Sequence, residues 1–362
     1  MKILILTNHD LGLYKFRKEL LETLLEDNEV FVSLPKGVFT DTIIEMGCRY
    51  IETSFERKGK NPFKDLELLK FYKKIIREIA PDVVLTYTIK PNVYGGLACQ
   101  QLKVPYIVNV TGLGSAIENG GLLQFVSLNL YKLGLRKADL VFFQNEANRD
   151  FMIEKGAVKD NWAMLPGSGV NLKQYTVEAF PDDATIDFTY VGRLMKEKGF
   201  ELYANAAQVI TKKYPDTRFH VCGPDEDHYH DLVERLSREG VLAYEGYVED
   251  MKEVYKRVQC TIHPSYYPEG MSNVLLESLA CGRPIITTDR PGCGEIVEDG
   301  VNGFIVKQND LDDLIEKIEK YLSLSNEERR RLGLNGRKKV EEQFDRQIVI
   351  DKYLEAIEKV TE

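Results

Sequence analysis

The residues with most chemical promise lie in two short runs of the C-terminal half. Gly192-Arg193-Leu194-Met195-Lys196-Glu197-Lys198-Gly199 follows an apolar stretch and precedes a helical one. Gly192 lets the backbone come close to a ligand. Arg193 and Lys198 flank a turn that feeds a helix N-terminus, where the dipole favours anions. Two cations plus that dipole suit a diphosphate; taken alone, the run reads equally well as a solvated basic loop. The second run, Pro264 to Pro284, carries Glu269 and Glu277 eight positions apart. Ser272 stands where an N-cap belongs, and Gly282 and Pro284 end the helix. The N–H groups of Gly270, Met271, Ser272, Asn273 and Val274 would line a rim for an anion or a sugar. Carboxylates suit sugar hydroxyls because each oxygen accepts strong hydrogen bonds. A glutamate in a surface loop is otherwise simply solvated.

These runs need elements to hold them. Apolar runs at 2–7, 30–34, 83–87, 106–110 and 140–144 read as strands, with helices at 13–26, 63–80, 92–102 and 121–137 between them. The pattern restarts with strands at 186–191, 219–222, 242–246, 260–263, 284–288 and 304–306. Helices are expected at 199–214, 226–240, 272–281, 310–323, 326–342 and 346–361. Such alternation predicts the α/β class, with parallel sheets covered on both faces. A polar stretch, 167–187, marks the junction. The expected division is 1–175, then 182–342, with 343–362 as a last helix that packs back on the first domain. Ligands of doubly wound sheets bind at the C-terminal ends of the strands. That directs attention to the loops that begin at residues 8, 87, 111, 192, 223, 247, 264 and 289.

Composition narrows the function classes. The chain has 362 residues and a net charge of −9, with 22 basic against 20 acidic side chains in residues 1–170 and 26 against 37 in the rest. An acidic protein is a poor nucleic-acid binder, while the N-terminal half leaves room for an anionic surface. Six cysteines without a CxxC read as reduced, buried thiols of a cytosolic protein. The opening Met1–Thr7 is too short for a signal peptide, and no run of 18 apolar residues exists to span a bilayer. The first strand ends without GxGxxG, which argues against a nicotinamide or flavin site. Gly12 would permit close approach of a ligand; His9 reads either as a polar contact or as a helix cap. Asp225-Glu226-Asp227, with His228 and His230, looks like a metal site but reads better as a solvated loop. No metal is expected.

The two C-terminal runs together resemble the signature of the family-4 retaining glycosyltransferases of GT-B fold: Gly192, Arg193 and Lys198, then Glu269-x7-Glu277, then Glu277-Ser-Leu-Ala-Cys-Gly-Arg-Pro284. The resemblance implies two Rossmann-like domains facing across a cleft, the second holding a UDP-sugar. It implies that Arg193 and Lys198 neutralise the diphosphate and that Glu277 holds the ribose. Glu269 would hold the donor sugar, and Tyr247 and Val248 would face the base. It implies transfer with retention and without a metal. The runs Asn109–Ser115, Phe142–Asn148 and Gly167–Leu172 resemble the bacterial subgroup that acts on undecaprenyl-diphosphate-linked sugars. On that basis His9, Tyr14, Arg17, Lys90, Thr111, Gly112 and Gly114 are assigned to the acceptor, with Gly12 on the donor side. A lipid-linked acceptor implies work at the inner face of the cell membrane. Two segments suit contact with anionic lipid: 55–77, with eight basic and three acidic side chains, and the apolar 122–135 followed by Arg136-Lys137. A soluble acceptor, or a non-catalytic scaffold of the same fold, are the competing readings.

Overall fold

The computed structural model describes residues 1–53, 62–114, 117 and 120–362. The chain forms two compact units. One comprises Met1–Gly169, Glu269–Met271 and Arg346–Glu362; the other comprises Val170–Pro268 and Ser272–Asp345.

The first unit holds seven parallel strands in the order β3-β2-β1-β4-β5-β6-β7. They are β1 Lys2–Leu6, β2 Glu29–Leu34, β3 Arg49–Glu52, β4 Val83–Tyr87, β5 Tyr106–Val110, β6 Leu140–Phe143 and β7 Trp162–Met164. The central strands are apolar throughout because both sheet faces are covered, and alternate residues serve opposite faces. Leu4, Leu6, Val84 and Val108 join a core with the helices Pro62–Ile79 and Gly121–Leu135. Ile3, Ile5, Leu85 and Ile107 join another with the helices Asp10–Asp27 and Arg346–Thr361. The second of those helices is well anchored. The Tyr353 hydroxyl accepts from Asn109 Nδ2 at 2.6 Å, its ring lies 4.9 Å from that of Phe142, and Lys352 donates to the Met164 carbonyl at 2.7 Å.

The second unit holds six parallel strands in the order β10-β9-β8-β11-β12-β13. They are β8 Ile186–Val191, β9 Thr217–Cys222, β10 Ala243–Gly246, β11 Cys260–His263, β12 Ile285–Thr288 and β13 Gly303–Val306. Phe188, Tyr190, Phe219 and Ile262 form its core with Phe200, Tyr203 and Ile210 of the helix Phe200–Lys213 and with Leu314 and Ile318 of the helix Leu311–Leu322. In both sheets the strand order reverses beside the first strand, between β1 and β4 and between β8 and β11. Loops leaving those strands are the places where a doubly wound sheet binds ligands.

Three boundaries differ from the sequence reading. The division falls at Gly169/Val170 instead of after 175, because Val170 bridges to Asp345 and donates to the Phe344 carbonyl of the second unit. Glu269–Met271 group with the first unit, inside what sequence reads as the second. The helix expected at 226–240 spans only His230–Arg238. Three further helices, Thr40–Glu45, Glu146–Glu154 and Met251–Arg257, were not anticipated, nor were β3 and β7.

Candidate functional site

In the second unit, the loops after β8, β9 and β11 interlock at two glycines. A Cβ on Gly223 would stand 1.9 Å from the Gly192 carbonyl oxygen, and one on Gly199 would stand 2.2 Å from that of Pro264. Both have positive φ, at 143° and 77°. Only glycine allows this approach. A short 3-10 turn, Lys196–Lys198, ends at Gly199, and the helix Phe200–Lys213 starts there. The Tyr266 amide donates to the Glu197 carbonyl at 2.9 Å, which pins the run 264–267 beside the basic loop.

The two cations predicted from sequence come together on one aromatic ring. The Arg193 guanidinium lies 5.6 Å from the centroid of Tyr267 and the Lys198 ammonium 5.0 Å from it. The Arg193 carbonyl accepts from the Tyr190 hydroxyl at 2.8 Å, so the backbone is held from below. Glu226 Oε2 takes Arg193 Nη1 at 2.8 Å. Partial burial disfavours the Arg193 charge, but Glu226 and Tyr267 outweigh it and its pKa is raised. Within the acidic run, Asp225 caps the Tyr229 amide, Glu226 pairs with Arg193, and Asp227 accepts from the Lys196 amide.

The helix Asn273–Ala280 carries Glu277, a half-buried residue whose charge helps raise the pKa of buried Tyr255, where burial is the larger cause. The Tyr255 hydroxyl lies 3.3 Å from the Val274 carbonyl. Ser272 stands at the N-cap position with extended φ and ψ, but its hydroxyl makes no capping bond. Its amide donates to the Gly292 carbonyl at 2.8 Å. That corrects the expected cap: the turn is fixed from the loop after β12. Asn273 Oδ1 is buried without a hydrogen-bond partner among the described residues, an unmet acceptor at the first turn. Tyr247 is exposed and Val248 half-buried in the loop after β10, next to Gly246, whose carbonyl accepts from the Gly223 amide at 2.7 Å.

The remaining assigned residues belong to the first unit. The Glu269 carbonyl accepts from Asn145 and Asn148, and that of Gly270 from Asn145 at 2.7 Å. A Cβ on Gly270 would stand 2.3 Å from Gln144 Oε1 and 2.6 Å from the Thr111 carbonyl oxygen. Met271 is buried against Gly167, so its side chain is used in packing. At the end of β1, His9 caps the helix Asp10–Asp27 by accepting from the Gly12 amide at 2.8 Å. A Cβ on Gly12 would fall 2.2 Å from the His9 ring; what approaches this glycine closely is the cap itself. Tyr14 stacks on Phe39 at 4.7 Å, and buried Arg17 lies 5.4 Å from the Tyr87 ring centroid. Gly112 and Gly114 have positive φ, and Gly114 borders Ile89. Ser115 lies outside the described residues.

Beyond β4, Thr88 has φ 71°, a left-handed conformation that a β-branched residue rarely takes. Such strain clusters at functional sites. A five-residue π-turn follows at Pro91–Gly95. Lys90 pairs with Asp65 at 2.9 Å, and the Tyr94 hydroxyl shares that carboxylate. Flanking this turn, the helix Gly121–Leu135 exposes Leu122, Leu123, Phe125 and Val126, and the helix Pro62–Ile79 exposes Phe63 and Leu66 beside Lys64 and Lys70. Glu56, Arg57, Lys58 and Lys60 of the basic segment lie outside the described residues. No helix among the described residues is long and apolar enough to cross a membrane.

Sequence reasoning missed Tyr267, Glu226, Asn145 and Asn148. The acidic residue was visible only as one of three in a row, and the tyrosine had no charge to mark it.

Two doubly wound α/β units of this strand order have the architecture of the GT-B fold. The chain belongs to the family-4 glycosyltransferases: residues 2–145 match the family Glycosyl transferase 4-like, and residues 176–339 match Glycosyl transferases group 1. It is 29% identical over 381 aligned residues, 99% of each chain, to the N,N'-diacetylbacillosaminyl-diphospho-undecaprenol alpha-1,3-N-acetylgalactosaminyltransferase of Campylobacter jejuni. It is 27% identical, over 79% of each chain, to the capsular polysaccharide biosynthesis glycosyltransferase CapM of Staphylococcus aureus. In fold it matches Anabaena Alr3699/HepE, solved with UDP-glucose, with a TM-score of 0.82 at 19% identity, over 99% of this chain and 100% of that one.

Proposed function

We propose that this enzyme moves a hexose or N-acetylhexosamine, with retention and without a metal, from a UDP-sugar to a polyprenyl-diphosphate-linked saccharide during surface polysaccharide or glycan assembly. The observation that carries the donor side is the convergence of Arg193 and Lys198 on Tyr267, beside the loops that glycines lock together. Two preset cations there would stabilise the charge that grows on a leaving diphosphate, and a fixed electrostatic site of this kind is worth more than one assembled during reaction. A donor-phosphate oxygen takes the acceptor proton in this scheme, so the protein contributes position and charge. Glu277 holds the ribose, Glu269 the sugar, and Asn273 Oδ1 a donor hydroxyl that would meet its orphan acceptor.

The acceptor reading draws support from the kinship with the bacillosamine-linked transferase and from the first unit's surface. Exposed Leu122, Leu123, Phe125, Val126, Phe63 and Leu66, with lysines among them, suit the interface of an anionic bilayer, where apolar burial and charge act together. Both support the reading of a peripheral protein at the inner face of the cell membrane. The test is a transfer assay with a panel of UDP-sugars and an undecaprenyl-diphosphate-linked saccharide in excess chelator. The expected product is one sugar larger, with the donor's anomeric configuration. Transfer to soluble sugars alone, or loss of activity in chelator, would refute the respective part. Vesicles rich in anionic lipid should co-sediment the protein at low salt; no binding removes the membrane reading.

A further inference from the structure

The pair Arg193 and Lys198 poses a problem of its own. Two like charges beside one another repel when no anion lies between them, and the first is partly withdrawn from water. Through the shared centroid they are at most 10.6 Å apart. Two neighbours offset that repulsion. The face of Tyr267 presents its negative quadrupole to both cations. Glu226 engages Arg193 through Nη1 at 2.8 Å, a charge-assisted bond that holds one edge of the guanidinium. Glu226 sits on the loop after β9, and that loop is locked to Gly192 by Gly223, so the carboxylate is fixed relative to the backbone it serves.

Resting on the reading of this loop as a diphosphate site, we propose that Tyr267 and Glu226 are positioning residues that hold Lys198 and Arg193 in place before the donor arrives. Tyr267 is the platform for both cations, and Glu226 sets the plane of the guanidinium. Neither touches the reacting atoms. A chain with disordered cations would have to order them at each binding event, and preset side chains avoid that cost.

The test uses the full-length enzyme, with calorimetric titration of inorganic pyrophosphate and of UDP, and steady-state kinetics with the donor. Tyr267→Phe keeps the ring and should leave pyrophosphate affinity within about two-fold, since the quadrupole survives. Tyr267→Leu should weaken both ligands by about five- to thirty-fold, the loss of two exposed cation–π contacts. In an Arg193→Ala/Lys198→Ala background the same Tyr267→Leu change should add nothing, an outcome a merely structural tyrosine would not give. Glu226→Gln should lower kcat with little change in KM, and Glu226→Asp should recover part of the loss.

Wild-type affinity in Tyr267→Leu would overturn the platform. Tighter UDP binding with undiminished turnover in Glu226→Gln would overturn the orienting role, because the carboxylate would then be a competitor of the donor. Wild-type protein that binds pyrophosphate without UDP would sink the uridine reading and uphold the cradle; protein that binds neither would sink both.

Discussion

Arg283 offers the sharpest measure of what holds the second unit together. Its side chain is fully buried, yet it forms no ion pair with a carboxylate among the described residues. Instead Nε donates to the Tyr255 carbonyl at 2.6 Å, Nη2 to that of Ala179 at 2.7 Å, and Nη1 to those of Glu178 and Cys281 at 3.1 and 3.2 Å. It thereby ties the segment entering the unit to the C-terminal turns of two helices, one of which carries Glu277. Burial lowers its pKa, which records the dehydration of the cation. Replacement by methionine, Arg283→Met, keeps most of the volume and removes the donors. The four shortest of its hydrogen bonds, donated by a charged group, are worth about 6–12 kcal/mol gross. Rehydration of the guanidinium in the unfolded chain returns several of these. A net loss of about 3–4 kcal/mol remains, near the top of the usual range for single substitutions. At about 2–4 °C per kcal/mol for a unit of this size, the second unit should melt about 6–16 °C earlier. Differential scanning calorimetry with and without the substitution measures it. A decrease under about 2 °C would refute the reasoning, because the dehydration would then cancel the bonds.

Gly223→Ala should abolish UDP binding in calorimetry, since its Cβ cannot share space with the Gly192 carbonyl and the loops after β8 and β9 must part; affinity within about three-fold of wild type would contradict this. All six cysteines are buried and none is in a disulfide. Burial pushes the thiols of Cys48 and Cys222 up to about 11 and that of Cys281 up to about 12. Unfolded thiols ionise near about 8.5, so their contribution to stability is complete below that pH and is lost as pH rises toward the folded values. The urea midpoint should therefore fall between pH 7.5 and pH 10, and thiol reagents should label the native protein slowly at pH 8; an unchanged midpoint would be the contrary result.

Much of the fold was legible because covered parallel strands are apolar on both faces. Val83–Tyr87, Tyr106–Val110, Ile186–Val191 and Cys260–His263 occupy the residues that their composition marks. The edge strands of the first sheet escaped: Arg49–Glu52 has charged ends and Trp162–Met164 is only three residues long, so neither shows a period. The cationic loop could be read from Gly192, Arg193 and Lys198, whose types state their chemistry. What rests under them could not. Tyr267 matters through a ring that sequence places near no cation, and Glu226 through a partner 33 positions away. His9 shows the opposite limit: a histidine after the first strand suits a ligand contact and a helix cap alike, and only the 2.8 Å bond from Gly12 establishes the cap.

The helix Arg346–Thr361 is made after the whole second unit, yet it covers the sheet that contains Lys2–Leu6. On the ribosome, the earliest strands emerge long before their final cover, and Ile3, Ile5, Leu85 and Ile107 wait with one face unfinished while the whole second unit is synthesised. The first unit thus reaches completion after the second, and a stop codon at position 346 would strike hardest at residues encoded more than two hundred codons upstream.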